Sequence, residues 1–346
     1  MAGTRQHFIP RMLLRYFADT REQVRVLHRN GHSFVTTIRN IALENEFYGK
    51  SGPDSADEAI TQEEFRIGPM LQLVNAAPEG TIDNTIAAEL ITHFTVRVRG
   101  MRTFMSQAAH VAIDEINRQF SDSDSIRSTM SSYIQNNPGI IIEELHNKVR
   151  EQYGSTALTQ LLQHPQYPIF LELLFKSAQQ MIGNLDAAAV TTDIQKTLAY
   201  FQSKISEVAK QSHEKAILSG PTPKQRTEIL AGFTFATQNS THDLILGDSV
   251  GWGLRSSVGI TPLYSLEDDL QMIAMPISRT RTLVGWRNER PDLSSEVISK
   301  ASAYTCEDFV IAHPDVADLA QFRDEFGKGR AVALATLAAE ASKSNS

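Results

Sequence analysis

TIAAELITHFTVRVRGMRTFMSQAAHVAIDEINRQF, residues Thr85–Phe120, sets the fold class. Ile86, Leu90, Phe94, Val98, Met101, Met105, Ala108, Ala112 and Ile116 recur at steps of three and four, the spacing of one helix face. The pattern predicts one long helix with its stripe against a core. Arg97 sits beside that stripe, between Phe94 and Met101, whereas Arg99 points away and Arg102 flanks the opposite edge. A guanidinium at the first position needs an anionic partner. One reading pairs Arg97 with Glu63 or Glu64; the other gives it to an anionic ligand.

Working outward, Ala56–Val74 reads as a helix interrupted near Gly68-Pro69, residues 124–182 as shorter helices broken at Asn137-Pro138-Gly139 and by Pro165 and Pro168, and Asp186–Ser219 as another long helix. Pro10 opens a short helix over residues 10–18. Val24–Arg29 and His32–Thr37 flank Asn30-Gly31, a two-residue hairpin turn that would set His28 opposite Ser33 and His32 opposite Arg29. Asn40–Tyr48 is a connecting element, and 51–57 a loop. After residue 230 the pattern changes: Phe233–Thr237, Asp243–Leu246, Leu270–Ile277 and Arg281–Trp286 read as strands, with turns at Gly247-Asp248, Gly251–Gly253 and Pro276. Ser295–Tyr304, Val316–Glu325 and Gly329–Ala339 follow as helices, and Ser342–Ser346 as a frayed end. The expectation is an α+β fold, mainly α-helical, with an N-terminal hairpin and a small C-terminal antiparallel sheet. It forms a single domain over 1–346: motif and hairpin 6–50, helical body 56–225, sheet 230–290, C-terminal helices 293–341.

Hydrophobic residues make up 41% and charged ones 21%, a balance that supports a buried core. The net charge of −7 speaks against general attraction to nucleic acid or acidic membranes. Locally, seven arginines in residues 1–40 precede an acidic stretch over 41–80. The two stretches pair with each other, or the first forms an exposed anion-binding face. A lone cysteine, Cys306, excludes an internal disulfide and suits a reducing compartment. With no apolar leader and no run of eighteen apolar residues, the expected location is the cytoplasm, without a membrane partner.

The phosphate-loop, dinucleotide, zinc-protease and nucleophile-elbow patterns are all absent. His28 and His32, either side of the predicted turn, read as exposed hairpin residues; no metal site is expected. His7 precedes a helix start, where anions are favoured, and Arg11 and Arg15 share the next helix face. They bind a phosphate or carboxylate, or Arg11 and Arg15 pair with acids such as Glu44 or Glu64. Asp248 follows Leu244-Ile245-Leu246 through Gly247, at a strand end that either carries function or holds an Asx turn.

Gln6-His7-Phe8-Ile9-Pro10 with Leu14-Arg15-Tyr16-Phe17 resembles an uncharacterised, mainly bacterial family, number 4238 of the domains of unknown function. Ile38-Arg39-Asn40-Ile41-Ala42, Phe47-Tyr48, the arginine-bearing helix at Phe94–Arg102, Leu244–Val250 and Met275-Pro276-Ile277-Ser278 agree in order, so that the resemblance spans about residues 6–312. Departures fall in two turns. Gly247 and Ser249-Val250 flank Asp248 where the family shows Ser and Asn-Pro, and Arg279 replaces a proline. The resemblance implies no particular reaction.

Two functional readings follow. In the first, His7, Glu64 and Asp248 are catalytic and Arg11, Arg15 and Arg97 bind the anion. That set suits a hydrolase, a nuclease or phosphoesterase acting on a nucleotide or nucleic acid, in the manner of a toxin or antiphage effector; Glu64 and Asp248 would position water or bind a divalent metal such as Mg²⁺. In the second, the same residues form a structural polar core of a non-enzymatic binding or sensor protein. Direct nucleic-acid binding through the arginines of residues 5–39 is a third, opposed by the net acidity.

Overall fold

The structure is a computed structural model and describes residues 5–163, 166–184, 186–264 and 269–343. It is α+β and mainly helical. The chain folds into two compact units, residues 1–109 with 205–346 and residues 110–204.

The first unit carries every strand among the described residues. β1 (Arg5–His7) pairs antiparallel with β4 (Leu43–Asn45), setting His7 opposite Leu43. A four-stranded sheet orders β3 (Ser33–Thr37), β2 (Gln23–His28), β12 (Phe309–Ala312) and β7 (Leu246–Gly247). A six-stranded antiparallel sheet orders β5 (Gly80–Ile82), β6 (Thr234–Asn239), β11 (Arg281–Trp286), β10 (Leu270–Ser278), β8 (Trp252–Arg255) and β9 (Gly259–Pro262). The late sheet is therefore larger than four strands, and the early hairpin shares a sheet with a strand near the carboxyl end. Gly253, expected in a turn, lies inside β8; a side chain there would run into Leu270 and Leu263.

Helices α1 (Arg11–Leu14), α2 (Ala56–Ala76), α3 (Asn84–Val96) and the beginning of α4 (Arg99–Gln119) belong to this unit, as do the end of α8 (Ala187–Ser219), α9 (Lys224–Ala231), α10 (Ser295–Thr305) and α11 (Lys328–Lys343). One core unites Phe8, Ile9, Leu13, Leu14 and Phe17 with Ile67 and Leu71 of α2, Leu90 and Phe94 of α3, and Ile273 and Met275 of β10. Thus five apolar side chains of the opening motif are core residues. In the second unit, α5 (Ser123–Asn136), α6 (Pro138–Gln163, bent at Gly154) and α7 (Tyr167–Gly183) pack together and bury Ile126, Leu158 and Ile182.

Several local expectations are corrected. The predicted 85–120 helix is two helices, parted at Arg97 and Val98, with Arg97 at φ −99°, ψ 0°. Thr95, Val96 and Val98 are β-branched and weak helix formers, and the break lets the Arg97 side chain turn inward. Pro69 does not interrupt α2, because Ile67, Leu71 and Val74 are buried on either side of it. The Asn30-Gly31 hairpin has a three-residue loop: Leu27 faces Ser33, and His28 accepts from Gly31 and donates to His32 through the backbone. Only Gly31 takes a left-handed conformation (φ +88°), so the two-residue turn and its His28–Ser33 pairing do not form. Of Asp243–Leu246 only Leu246 is in a strand. Of the Val316–Glu325 helix there is a 3-10 segment over Ala320–Glu325, whose start is set by Asp318 accepting from the Ala320 N–H at 2.9 Å. Pro168 opens α7 rather than breaking a helix. Pro165 and Ser344–Ser346 lie outside the described residues.

Candidate functional site

The opening motif is positioned by backbone pairing and by its own glutamine. Gln6 accepts from the Tyr48 N–H at 2.6 Å and donates to the Gly49 carbonyl at 3.0 Å, which fixes the Phe47-Tyr48 turn over β1. Tyr48, fully buried, donates its hydroxyl to the His7 carbonyl at 3.2 Å.

Arg97 meets this turn from below. At the α3–α4 break its guanidinium, 2% exposed, spreads over four partners. Nε donates to the Tyr48 hydroxyl (3.0 Å), Nη1 to Glu64 Oε1 (2.5 Å) and to His93 Nε2 (3.0 Å), and Nη2 to the His7 carbonyl (3.1 Å). Burial alone would lower the Arg97 pKa, but Tyr48 and Glu64 outweigh it and hold it above the ordinary value. The buried charge is compensated.

His93 lies one helical turn before Arg97 and is fully buried. A guanidinium only donates, so His93 Nε2 accepts, and the neutral ring carries its proton on Nδ1. That N–H faces Thr222 Oγ1 at 3.4 Å, and Thr222 donates to Glu63 Oε1 at 2.6 Å. Burial first, and then the charges of Arg97 and Arg66, drive the His93 pKa well below its usual value. The chain of bonds runs Glu64–Arg97–His93–Thr222–Glu63 and begins and ends on consecutive residues of α2. It opens on a groove of about 310 Å³ lined by Glu63, Arg66, Glu89, Thr222, Lys224 and Glu228, where Arg66 bridges Glu63 and Glu89.

His7 is half-buried. Its Nε2–H donates to the Ile38 carbonyl at 3.1 Å, which leaves Nδ1 as the acceptor. Burial lowers its pKa; the carbonyl bond and Glu64 oppose the shift, and Arg11 and Arg97 add to it. The structure thus gathers His7, Arg97 and Glu64.

Arg11 and Arg15 take neither Glu44 nor Glu64 as partner. Both approach Glu22, Arg15 at 3.1 Å and Arg11 at 3.9 Å, and Arg39 joins them at 3.7 Å. Glu44 instead pairs with Arg99 and Arg102. Of the acids of 41–80, Glu44, Glu63 and Glu64 are thus met by arginines of α2 and of the α3–α4 region, and Glu79 by Arg290. Arg102, expected only to flank the stripe, lays its guanidinium over the Phe47 ring.

Asp248 belongs to another constellation. It is buried, and its carboxylate accepts from the backbone N–H groups of Glu307 (2.7 Å), Asp308 (2.8 Å) and Phe309 (3.4 Å). Burial pushes its pKa up to about 7, Glu307 adds to the shift, and the N–H groups resist it. Glu307 in turn pairs with Arg330 at 3.0 Å. The two ends of the chain do meet, through packed rings: Phe8 and Phe309 lie 6.2 Å apart, and Arg99 pairs with both Glu44 and Asp308. His28 and His32 each pack on the Phe34 ring.

The sequence reading assigned no role to Tyr48, His93, Thr222 or Glu22, and Arg39 entered it only in the family motif and among the arginines of residues 5–39. His93 had a signal, its four-residue spacing from Arg97 in a helix. Glu22 and Thr222 had none, since both act across loops. Among the described residues, no three His, Cys, Asp or Glu side chains form a group that could hold a metal ion. None of the described helices is long and apolar enough to cross a membrane.

The profile of a family described as a protein of unknown function (DUF4238) matches residues 5–315. The match takes in the opening motif, the Arg97 network and the Asp248 turn, and the chain belongs to this family. No curated protein matches the chain. No solved structure matches it.

Proposed function

We propose that this chain acts by binding, as an intracellular non-enzymatic binding or sensor protein whose polar motif residues form a structural core. The observation that carries this reading is the inward engagement of Arg97: four of its five N–H groups bond to Glu64, His93, Tyr48 and the His7 carbonyl, and its fork is turned inward. An arginine that clamps a substrate needs donors facing solvent. Asp248 is likewise engaged by three backbone N–H groups.

One observation favours the hydrolase reading, a nuclease or phosphoesterase of the toxin or antiphage type. His7 is half-buried, burial lowers its pKa against the opposing charge of Glu64, and its Nε2–H is given to the Ile38 carbonyl, which leaves Nδ1 as the acceptor. A panel of nucleotides and nucleic acids, with and without Mg²⁺, separates the two. Binding predicts no turnover by the wild-type chain. Turnover abolished in His7→Ala or Asp248→Ala, with circular dichroism and melting temperature retained, would replace binding by catalysis.

A further inference from the structure

Glu22 has an unusual position. Its backbone is left-handed, at φ +56°, a conformation that residues with a side chain rarely adopt. The conformation is clamped: the Glu22 N–H donates to the Asp19 carbonyl at 3.0 Å, and the Glu22 carbonyl accepts from the Ile38 N–H at 2.9 Å. The Ile38 carbonyl, on the other side of that residue, takes the His7 Nε2–H. The next residue is Arg39. Backbone and His7 thus hold the Glu22 carboxylate and the Arg39 guanidinium together.

Three guanidiniums surround that one carboxylate. Arg15 alone is hydrogen-bonded to it, at 3.1 Å. Arg11 and Arg39 stand at 3.9 and 3.7 Å, within ionic reach but beyond a hydrogen bond. The Arg11 Nε is buried without a partner among the described residues, and the Arg39 side chain is 70% exposed. Three positive charges against one negative leave a local excess of two on a chain whose net charge is −7.

We propose that Arg11, Arg15 and Arg39 form a phosphate-binding site, in which Glu22 occupies the anion position until a phosphate group displaces it. A carboxylate offers two oxygens and serves one guanidinium fork well; a tetrahedral phosphate offers three or four, directed to several forks at once. This deepens the binding reading and rests on it only in assigning the ligand to the exposed arginines rather than to Arg97. The phosphate belongs to a free phosphorylated small molecule or to a nucleic-acid backbone.

Isothermal titration of the full chain with inorganic phosphate, adenosine 5′-monophosphate and a single-stranded oligonucleotide tests it. The expected result is saturable binding, weakened at least tenfold in Arg39→Ala and Arg15→Ala and unchanged in Arg21→Ala, whose partner is Asp19. Glu22→Gln removes the competing charge and tightens binding several-fold, an effect that damage to the fold would not produce. Tight binding of the mononucleotide assigns the site to small molecules; binding confined to the oligonucleotide, with the same dependence on Arg39, assigns it to the backbone. No binding of any probe, indifference to Arg39→Ala, or weaker binding by folded Glu22→Gln overturns the proposal. Hydrolysis of a probe, by contrast, overturns the non-catalytic reading and leaves this site standing.

Discussion

Arg97 and Glu64, separated by 33 residues, are joined at 2.5 Å by an ion pair whose cationic end is buried and whose anionic end is about one-third exposed. The asymmetry decides which partner tolerates change. The carboxylate retains water on one side, and the guanidinium has only the protein.

Removing the carboxylate leaves a buried cation without a counter-charge. Glu64→Ala is therefore expected to cost about 3 kcal/mol of folding stability. Glu64→Gln keeps an oxygen for Arg97 and should cost clearly less. Urea denaturation at neutral pH measures both; equal losses would mean that the charge at Glu64 contributes nothing.

His213 gives the fold an acid-labile point. Its Nε2–H donates to the Val96 carbonyl at 2.8 Å, and its Nδ1 is buried without a partner among the described residues. Burial lowers its pKa from 6.5 to about 4. The unfolded chain thus binds a proton at higher pH than the folded one. The stability due to neutral His213 is complete above pH 6.5 and is lost as the pH falls toward 4, by about 3 kcal/mol in all. Denaturant midpoints between pH 7 and pH 4 should fall less steeply in His213→Gln than in wild type.

Asp248 has the opposite sign. Its folded pKa is raised from 3.8 to about 7, so its contribution is complete below the unfolded value and is lost as the pH rises through that range. An asparagine does not titrate. Relative to wild type, Asp248→Asn is expected to gain stability steadily from about pH 4 to pH 7. A constant difference between the two proteins across that range would contradict the assignment.

Gly247 leaves no room for a side chain. A Cβ there would stand 2.5 Å from the Ser302 carbonyl oxygen, a backbone atom of α10 that cannot swing away. Gly247→Ala should therefore cost about 1–3 kcal/mol by overpacking, read as a drop in melting temperature. The same substitution at Gly139, which has open space around it, should leave the melting temperature nearly unchanged.

Much of this fold was legible in its pattern. The three- and four-residue stripe around Phe94, the short apolar runs of β10 and β11 and the buried motif from Phe8 to Phe17 each carry a local signal, because periodicity and turn chemistry act over a few neighbouring residues. The α+β class, the family and the need of Arg97 for an anionic partner were determined at that level. Which acid meets which arginine was not. Glu22 reaches three guanidiniums only because a left-handed backbone turns it toward them, and His93 joins Arg97 to Glu63 only because the loop before α9 brings Thr222 between them. Such pairings depend on distances of a few ångströms between segments far apart in the chain. Tertiary packing alone sets those distances, and it placed Arg97 inside the core and left Arg39 at the surface.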